Sequence, residues 1–274
     1  MREKKTTFRH LLFMQIGRVL FHPFFLVSVL AQAIAFLVFV YGEYRSFGPM
    51  KDQFLYLLEG SCSAGIGKIV VPILSVLPMV SVKEGGRQKE RDYFTLIRCS
   101  KRNYIGSEIV AAILSGFLVV LLGCLLFFLC LILLGYRGVG VGMGGTIENS
   151  IYASSCLSGF LKGNRGVLLL LEIIILSLDG AVWPLLLLVI SQFTANKYIL
   201  LIGPFLILRI WSMLTVSLGV QVYLDPIWQV IYYSASTGIL TPFKLIQEYG
   251  FHICGMILFG CIYAVLFQRR MKQG

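Results

Sequence analysis

The chain has 274 residues, of which 57% are hydrophobic and only 14% are charged. This composition leaves too little polar sequence for a sizeable soluble domain and indicates one membrane domain that covers residues 1–274. The net charge of +11 raises the question of nucleic-acid binding. Because the basic residues are distributed among the loops as membrane topology requires, we expect no nucleic-acid partner.

The first 20 residues predict an amphipathic helix that lies on the cytoplasmic leaflet of the membrane. Apolar side chains recur every three to four residues among basic ones, at Phe8, Leu12, Ile16 and Val19. A frayed basic leader without helical structure is the alternative. The dipeptide His22-Pro23 predicts the turn into the first span, since the residue before a proline is pushed away from helical geometry.

Six apolar stretches follow, and each is long enough to cross a hydrocarbon core of about 30 Å as a helix. Their approximate bounds are 21–41, 62–82, 104–134, 166–193, 198–218 and 250–267. We therefore expect an all-α integral membrane protein with six transmembrane helices. The Asp225-Pro226 pair lies between the last two spans and predicts a short external helix, with Asp225 as its cap.

Lysine and arginine are shared unequally between the two sides of this arrangement. Alternating passes place 16 of the 24 on one side: five before the first span, seven in 83–103, one at Lys197 and three after the last span. The side richer in basic residues is the cytoplasmic one in membrane proteins. We therefore expect both termini in the cytoplasm.

Motifs for nucleotide, metal or nucleophilic chemistry are not found in the sequence. Gly60 and Gly65 have the separation of a phosphate-binding loop, but the Lys-Ser/Thr pair that completes such a loop does not follow them. The histidines and cysteines lack metal-ligand spacing, and no serine nucleophile motif accompanies them. We expect no enzyme activity and no cofactor bound by this chain. Three cysteines map to the outer side or near it, and both a disulfide bridge and free thiols remain open for Cys62, Cys156 and Cys254.

Apart from Glu108 near the start of the third span, four acidic or basic residues lie within the predicted spans, where an unpaired charge is costly. They are Lys68, Glu172, Asp179 and Arg209. Lys68 and Glu172 lie at similar depths below the outer ends of their spans, and Asp179 and Arg209 both lie near the centres of theirs. These matching depths predict two pairs, Lys68 with Glu172 and Asp179 with Arg209. Either these charges line a translocation surface or gate, or they are ion pairs that fix helix packing. We interpret Glu108, near the start of the third span, only as an interfacial charge.

The segment 83–103 is the only sizeable cytoplasmic loop in this topology. Tyr93, Leu96 and Ile97 have helical spacing among charged neighbours, which predicts a short amphipathic helix suited to the groove of a partner. A solvated basic loop held at lipid headgroups is the alternative.

The residues after this helix, Arg98, Ser100, Lys101, Tyr104 and Ile105, form the pattern R-x-S-[KR]-x-x-[YF]-I. With six spans, an N-terminal interfacial helix and external helices between the last two spans, the chain resembles the type-2 permease family of ATP-binding cassette (ABC) exporters. It departs from the family where Ser107-Glu108 replaces the usual Gly-Lys or Ser-Lys, and its loop glycines come early, at Gly85 and Gly86.

The resemblance implies a permease subunit in the inner (cytoplasmic) membrane of a bacterial cell, driven by two separate ATPase subunits that bind ATP and magnesium. The loop would contain the coupling helix, and the residues implied to dock the ATPase are Glu90, Tyr93, Phe94, Leu96, Ile97, Arg98 and Ser100. A second permease subunit, identical or homologous, would complete the path for an amphipathic substrate such as a peptide, toxin, drug or lipid. Membrane lipid is the remaining partner.

Two other classes of function stay open at this point. One is a membrane immunity or sensor component that transports nothing. The other is a proton-coupled secondary transporter that uses Asp179 or Glu172. Co-purification of an ATPase would favour the exporter, and transport that follows a pH gradient without ATP would favour the secondary transporter.

The topology is tested with single cysteines and a thiol reagent that does not cross membranes. In intact cells we expect labelling at positions within 138–164 and protection at positions within 83–103, because the two segments lie on opposite sides. The opposite labelling pattern would invert the topology.

Overall fold

The computed structural model describes residues 8–47, 54–63, 65–83, 99–136, 165–220 and 242–273. These residues form helices and no strands, which confirms the all-α expectation for this part of the chain. The helices are α1 (Phe8–Leu20), α2 (Pro23–Phe47), α3 (Phe54–Ser63), α4 (Gly65–Lys83), α5 (Lys101–Leu133), α6 (Arg165–Ile190), α7 (Lys197–Ser217) and α8 (Pro242–Gln273).

Among the described residues, five helices are long and apolar enough to cross a membrane, so the chain is a multi-pass membrane protein. The crossing segments are Pro23–Arg45, Lys101–Leu133, Leu169–Ile190, Lys197–Ser217 and Tyr249–Met271. The second predicted span coincides with α4, but its apolar part, Ile69–Lys83, is shorter than a full crossing. A sixth crossing therefore stays a prediction.

The N-terminal helix and its turn follow the sequence pattern. Helix α1 ends at Leu20, and Pro23 opens α2 at the first helical position, where its missing N–H is not needed. Leu11, Gln15 and Val19 are the buried residues of α1 and share one face of it. That face packs on α5 and α4. The position of α1 at the membrane surface stays a prediction.

The helix ends differ from the hydropathy bounds at two places. Helix α2 continues to Phe47, beyond the predicted end near residue 41, and α8 starts at Pro242, before the predicted start near residue 250. Hydropathy detects the segment that favours lipid, whereas helical hydrogen bonding continues through polar residues outside it. The external helix predicted at Asp225-Pro226 lies outside the described residues.

Helix α6 is the most deeply buried of the membrane-spanning helices in the described residues. It packs against α4, α5, α7 and α8. All of its residues from Ala181 to Leu188 are buried, so no face of this part of the helix is exposed. A helix that is apolar all round and buried all round is a core element rather than a lipid-facing one.

Two glycines allow α5 and α6 to approach closely. A Cβ atom on Gly116 of α5 would overlap the carbonyl oxygen of Gly180 in α6. A Cβ atom on Gly180 would in turn overlap the side chain of Val120. Small residues serve this purpose at helix contacts within membranes, because they bring the backbones together and increase van der Waals packing.

The Gly116–Gly180 contact predicts that an alanine at Gly116 is harmful, whereas an alanine at an uncrowded helical glycine is tolerated. Gly116→Ala should destabilise the protein by about 1–3 kcal/mol, because the added methyl group overpacks the contact. Gly250→Ala in α8 is the control: nothing lies within 4 Å of its Cβ position. This change should be neutral or should stabilise by up to about 1 kcal/mol. Unfolding titrations in detergent micelles measure both, and equal stability of the two variants would contradict the prediction.

Candidate functional site

Four polar side chains from three helices meet at the end of the bundle where α1, the start of α5 and the end of α4 come together. They are Lys83 of α4, Tyr104 and Glu108 of α5, and Tyr263 of α8, and we call them the Glu108 cluster. Glu108 is only 3% exposed. Three of these side chains donate hydrogen bonds to its carboxylate, which makes Glu108 the centre of the cluster.

The start of α5 positions two members of the cluster. Ser100 caps the helix by accepting a hydrogen bond from the backbone N–H of Asn103 at 3.2 Å. Tyr104 and Glu108 then follow at a spacing of four residues, which brings them onto one face. The Tyr104 hydroxyl donates to Oε1 of Glu108 at 3.1 Å.

The other two donors come from the neighbouring helices. The Lys83 ammonium, at the last residue of α4, donates to Oε1 of Glu108 and forms an ion pair with it. The Tyr263 hydroxyl of α8 donates to Oε2. Phe267 closes the cluster, with ring centroids 5.7 Å from Tyr104 and 5.8 Å from Tyr263. One carboxylate therefore links three helices.

The interpretation of Glu108 as an interfacial charge is wrong. An interfacial carboxylate would be hydrated, whereas Glu108 is buried and its charge is balanced by Lys83. A signal for this pair was available in the sequence. Lys83 directly follows one predicted span and Glu108 lies near the start of the next, so the two opposite charges lie at the same end of adjacent helices.

A second polar cluster lies inside α6 and α8, and we call it the Asp179 cluster. Asp179 is 8% exposed, and its Oδ2 accepts a hydrogen bond from the indole N–H of Trp183 at 3.1 Å. Nδ1 of His252, from α8, lies 3.8 Å from its Oδ1. Nε2 of His252 is buried and has no hydrogen-bond partner. The position of Asp179 within a predicted span identified it from the sequence, but sequence reasoning missed its neighbours Trp183 and His252.

The other intramembrane charges have different surroundings. Arg209 is exposed on α7, whereas Asp179 is buried against α8, so the two residues predicted to pair lie in unlike environments. Glu172 is half-buried on α6. The side chain of Lys68 lies outside the part of the chain that the structure describes, and its pairing with Glu172 stays a prediction.

Most of the predicted docking residues cannot be placed. Glu90, Tyr93, Phe94, Leu96, Ile97 and Arg98 lie outside the described residues. Ser100 is placed, as the cap of α5. The segment that contains the others is therefore flanked by two described points, Lys83 at the end of α4 and Ser100 at the start of α5.

The cysteines that the structure describes form no disulfide with one another. Cys62 is buried and Cys254 is exposed. Cys156 lies outside the described residues. Burial raises the pKa of the Cys99 thiol, so little reactive thiolate forms there at neutral pH. Among the described residues no group of three or more His, Cys, Asp or Glu side chains is arranged to hold a metal ion.

Comparisons with protein-family models, with curated proteins and with solved structures gave no match. The two clusters, and the loop that the Glu108 cluster flanks, are the features of the molecule that bear on its function.

The Glu108 cluster predicts strong energetic coupling between Lys83 and Glu108. Glu108→Ala should cost about 3–5 kcal/mol of stability, because it leaves a buried ammonium without its partner. Lys83→Met combined with Glu108→Gln should cost clearly less than the sum of the single changes, since no charge is then left buried. The measurement is a double-mutant cycle of unfolding free energies in detergent micelles.

Lys101→Met is the control for that cycle. Lys101 is exposed one turn from the cluster, and its loss should change the stability by less than about 0.5 kcal/mol. Additive effects of the changes at Lys83 and Glu108 would contradict the proposed role of the ion pair.

Proposed function

We propose that this chain is the membrane permease subunit of an ABC exporter and that a separate ATPase drives it. The observation that carries the proposal is the position of the Glu108 cluster beside the segment 84–98. Lys83 immediately precedes this segment, and Ser100 lies just beyond it. A partner that pulls on the segment would act on two helix ends that are already joined through Lys83 and Glu108.

Coupling in such a complex requires a stiff connection between the docking loop and the spans. The Glu108 carboxylate supports this because it joins α4 and α5 to α8 through hydrogen bonds in a water-poor environment. Electrostatic contacts of this kind are stronger there than in water. Movement of the loop would then reach α8 as well as the two helices that flank it.

The complete unit in this proposal contains two permease subunits and two ATPase subunits in a bacterial cytoplasmic membrane, with both termini of this chain in the cytoplasm. ATP and magnesium bind to the ATPase subunits. The substrate is an amphipathic molecule, for which we favour a peptide or hydrophobic toxin. The second permease subunit is either identical to this chain or homologous to it.

A proton-coupled secondary transporter is the second candidate, and the Asp179 cluster is the observation that favours it. Asp179 and His252 are both able to hold a proton, and both are buried within membrane-spanning helices. Ionisable residues in that location often belong to proton pathways. In this case a pH gradient would drive transport without ATP, and Asp179→Asn would abolish it.

The docking prediction concerns Tyr93 and Leu96. In affinity purification from native membranes, we expect the wild-type subunit to recover an ATPase with Walker motifs. The double variant Tyr93→Asp and Leu96→Asp should reduce this recovery by roughly tenfold or more, because two apolar anchors are replaced by charges. The readouts are ATPase recovery by mass spectrometry and magnesium-dependent ATP hydrolysis.

Ala195→Asp is the matched control, since Ala195 is exposed in the turn between α6 and α7 on the same predicted side. It should leave ATPase recovery unchanged. If wild-type protein recovers no ATPase, the exporter proposal fails. If the control and the double variant lose equal amounts of ATPase, the docking site lies elsewhere.

A further inference from the structure

Arg209 is an exposed cation within a membrane-spanning helix. It lies eight residues before the last residue of α7, Ser217, which is about 12 Å along the helix axis. The ion pairs among the described residues do not include it. A guanidinium in contact with lipid tails carries a free-energy cost, so charged side chains in membrane spans usually meet a polar or charged group. An exposed guanidinium at this position is suited to an occupant that supplies a negative charge.

The residues around Arg209 indicate that the rest of this occupant is apolar. Ile202, Leu206, Met213 and Val216 lie three, four or seven residues away along α7, so they share its face, and all four are exposed. We call these residues together with Arg209 the Arg209 stripe. It runs about 21 Å along the helix, from Ile202 to Val216, with its single charge near the middle.

The stripe contains no small residue, unlike the places where helices of this chain pack together. Gly116 and Gly180 bring α5 and α6 into contact, and Gly203 of α7 faces Ile190 of α6. Helix contacts in membranes favour such small residues. The branched and flexible side chains of the stripe instead suit a flexible apolar chain, to which methionine adapts well.

We propose that the Arg209 stripe binds a long-chain carboxylate, with the acid group on Arg209 and the alkyl chain along the apolar side chains. The depth of Arg209 favours a free acid over a phospholipid. A carboxylate that enters the bilayer is able to shed its charge by protonation on the way, whereas a phosphodiester headgroup stays at the surface. The inference rests on the proposed function in one respect, since it makes acidic amphiphiles the substrate class of the permease.

The test is spin-label spectroscopy on the purified full chain in phosphatidylcholine nanodiscs. The probes are chain-labelled stearic acid and its methyl ester, at pH 9, where the acid is ionised. We expect the protein to immobilise the acid at least about threefold more strongly than the ester. Arg209→Gln should remove this preference, and Arg209→Lys should retain most of it.

The control is Arg270→Gln, which removes an exposed cation at the end of α8 and should leave the preference intact. In the wild-type protein the preference should also disappear at pH 5, because the acid is then protonated. This arm remains informative if Arg209→Gln does not fold. A wild-type preference that persists at pH 5, or one that Arg270→Gln abolishes, would overturn the proposal.

Two further results would point to other occupants and would also overturn it. One is a stronger preference for spin-labelled phosphatidic acid than for stearic acid, which indicates a lipid headgroup. The other is disulfide cross-linking of a Met213→Cys variant to a second chain, together with no preference for stearic acid. The nanodisc test contains no ATPase, so its result does not depend on ATPase recovery. A stearic acid preference together with failure to recover an ATPase would support the binding site while contradicting the exporter proposal.

Discussion

The Glu108 carboxylate is the point on which the packing at one end of the bundle depends. A carboxylate in an apolar interior needs an opposite charge and hydrogen-bond donors, since its desolvation otherwise exceeds the gain from any single contact. Lys83, Tyr104 and Tyr263 meet this need from three different helices. The requirement of one ion therefore contributes to how α4, α5 and α8 lie relative to one another.

A second constraint acts in the middle of the bundle. Helix α6 is surrounded by its neighbours, and the Gly116–Gly180 contact holds it close to α5. Van der Waals packing of this kind is the main attraction between helices in lipid, where tails and side chains are equally apolar. The bundle thus combines a polar attachment at one end with close backbone contact at its centre.

Sequence reasoning predicted the positions of the helices along the chain better than their rotation. The spans near 104–134, 166–193 and 198–218 match α5, α6 and α7 closely, because long apolar runs mark membrane-spanning helices. Rotation about the axis is not encoded in the same way. Apolar residues surround Asp179 on every side of α6, so the sequence does not indicate that Asp179 points towards His252 of α8.

The same limit explains why matching depth is an incomplete guide to charge pairs. Depth follows from counting residues along a helix, whereas contact also requires two side chains to face each other. Asp179 and Arg209 have similar depths, but one is buried against α8 and the other is exposed. Lys83 and Glu108 have similar depths and also face each other. Their similar depth was visible in the sequence, because both lie at the same end of consecutive helices.

The helices differ in how much of their surface is buried by neighbouring helices, and this difference bears on which of them is able to move. Helix α6 is enclosed, whereas α7 buries only a narrow row of residues: Leu200, Pro204, Leu208, Ser212 and Thr215. A helix held along one narrow row has fewer contacts to break when it shifts than one held on all sides. The enclosed α6 is therefore harder to displace than α7. Helix α7, with its exposed charge, has fewer contacts to lose than α6 and shifts more easily.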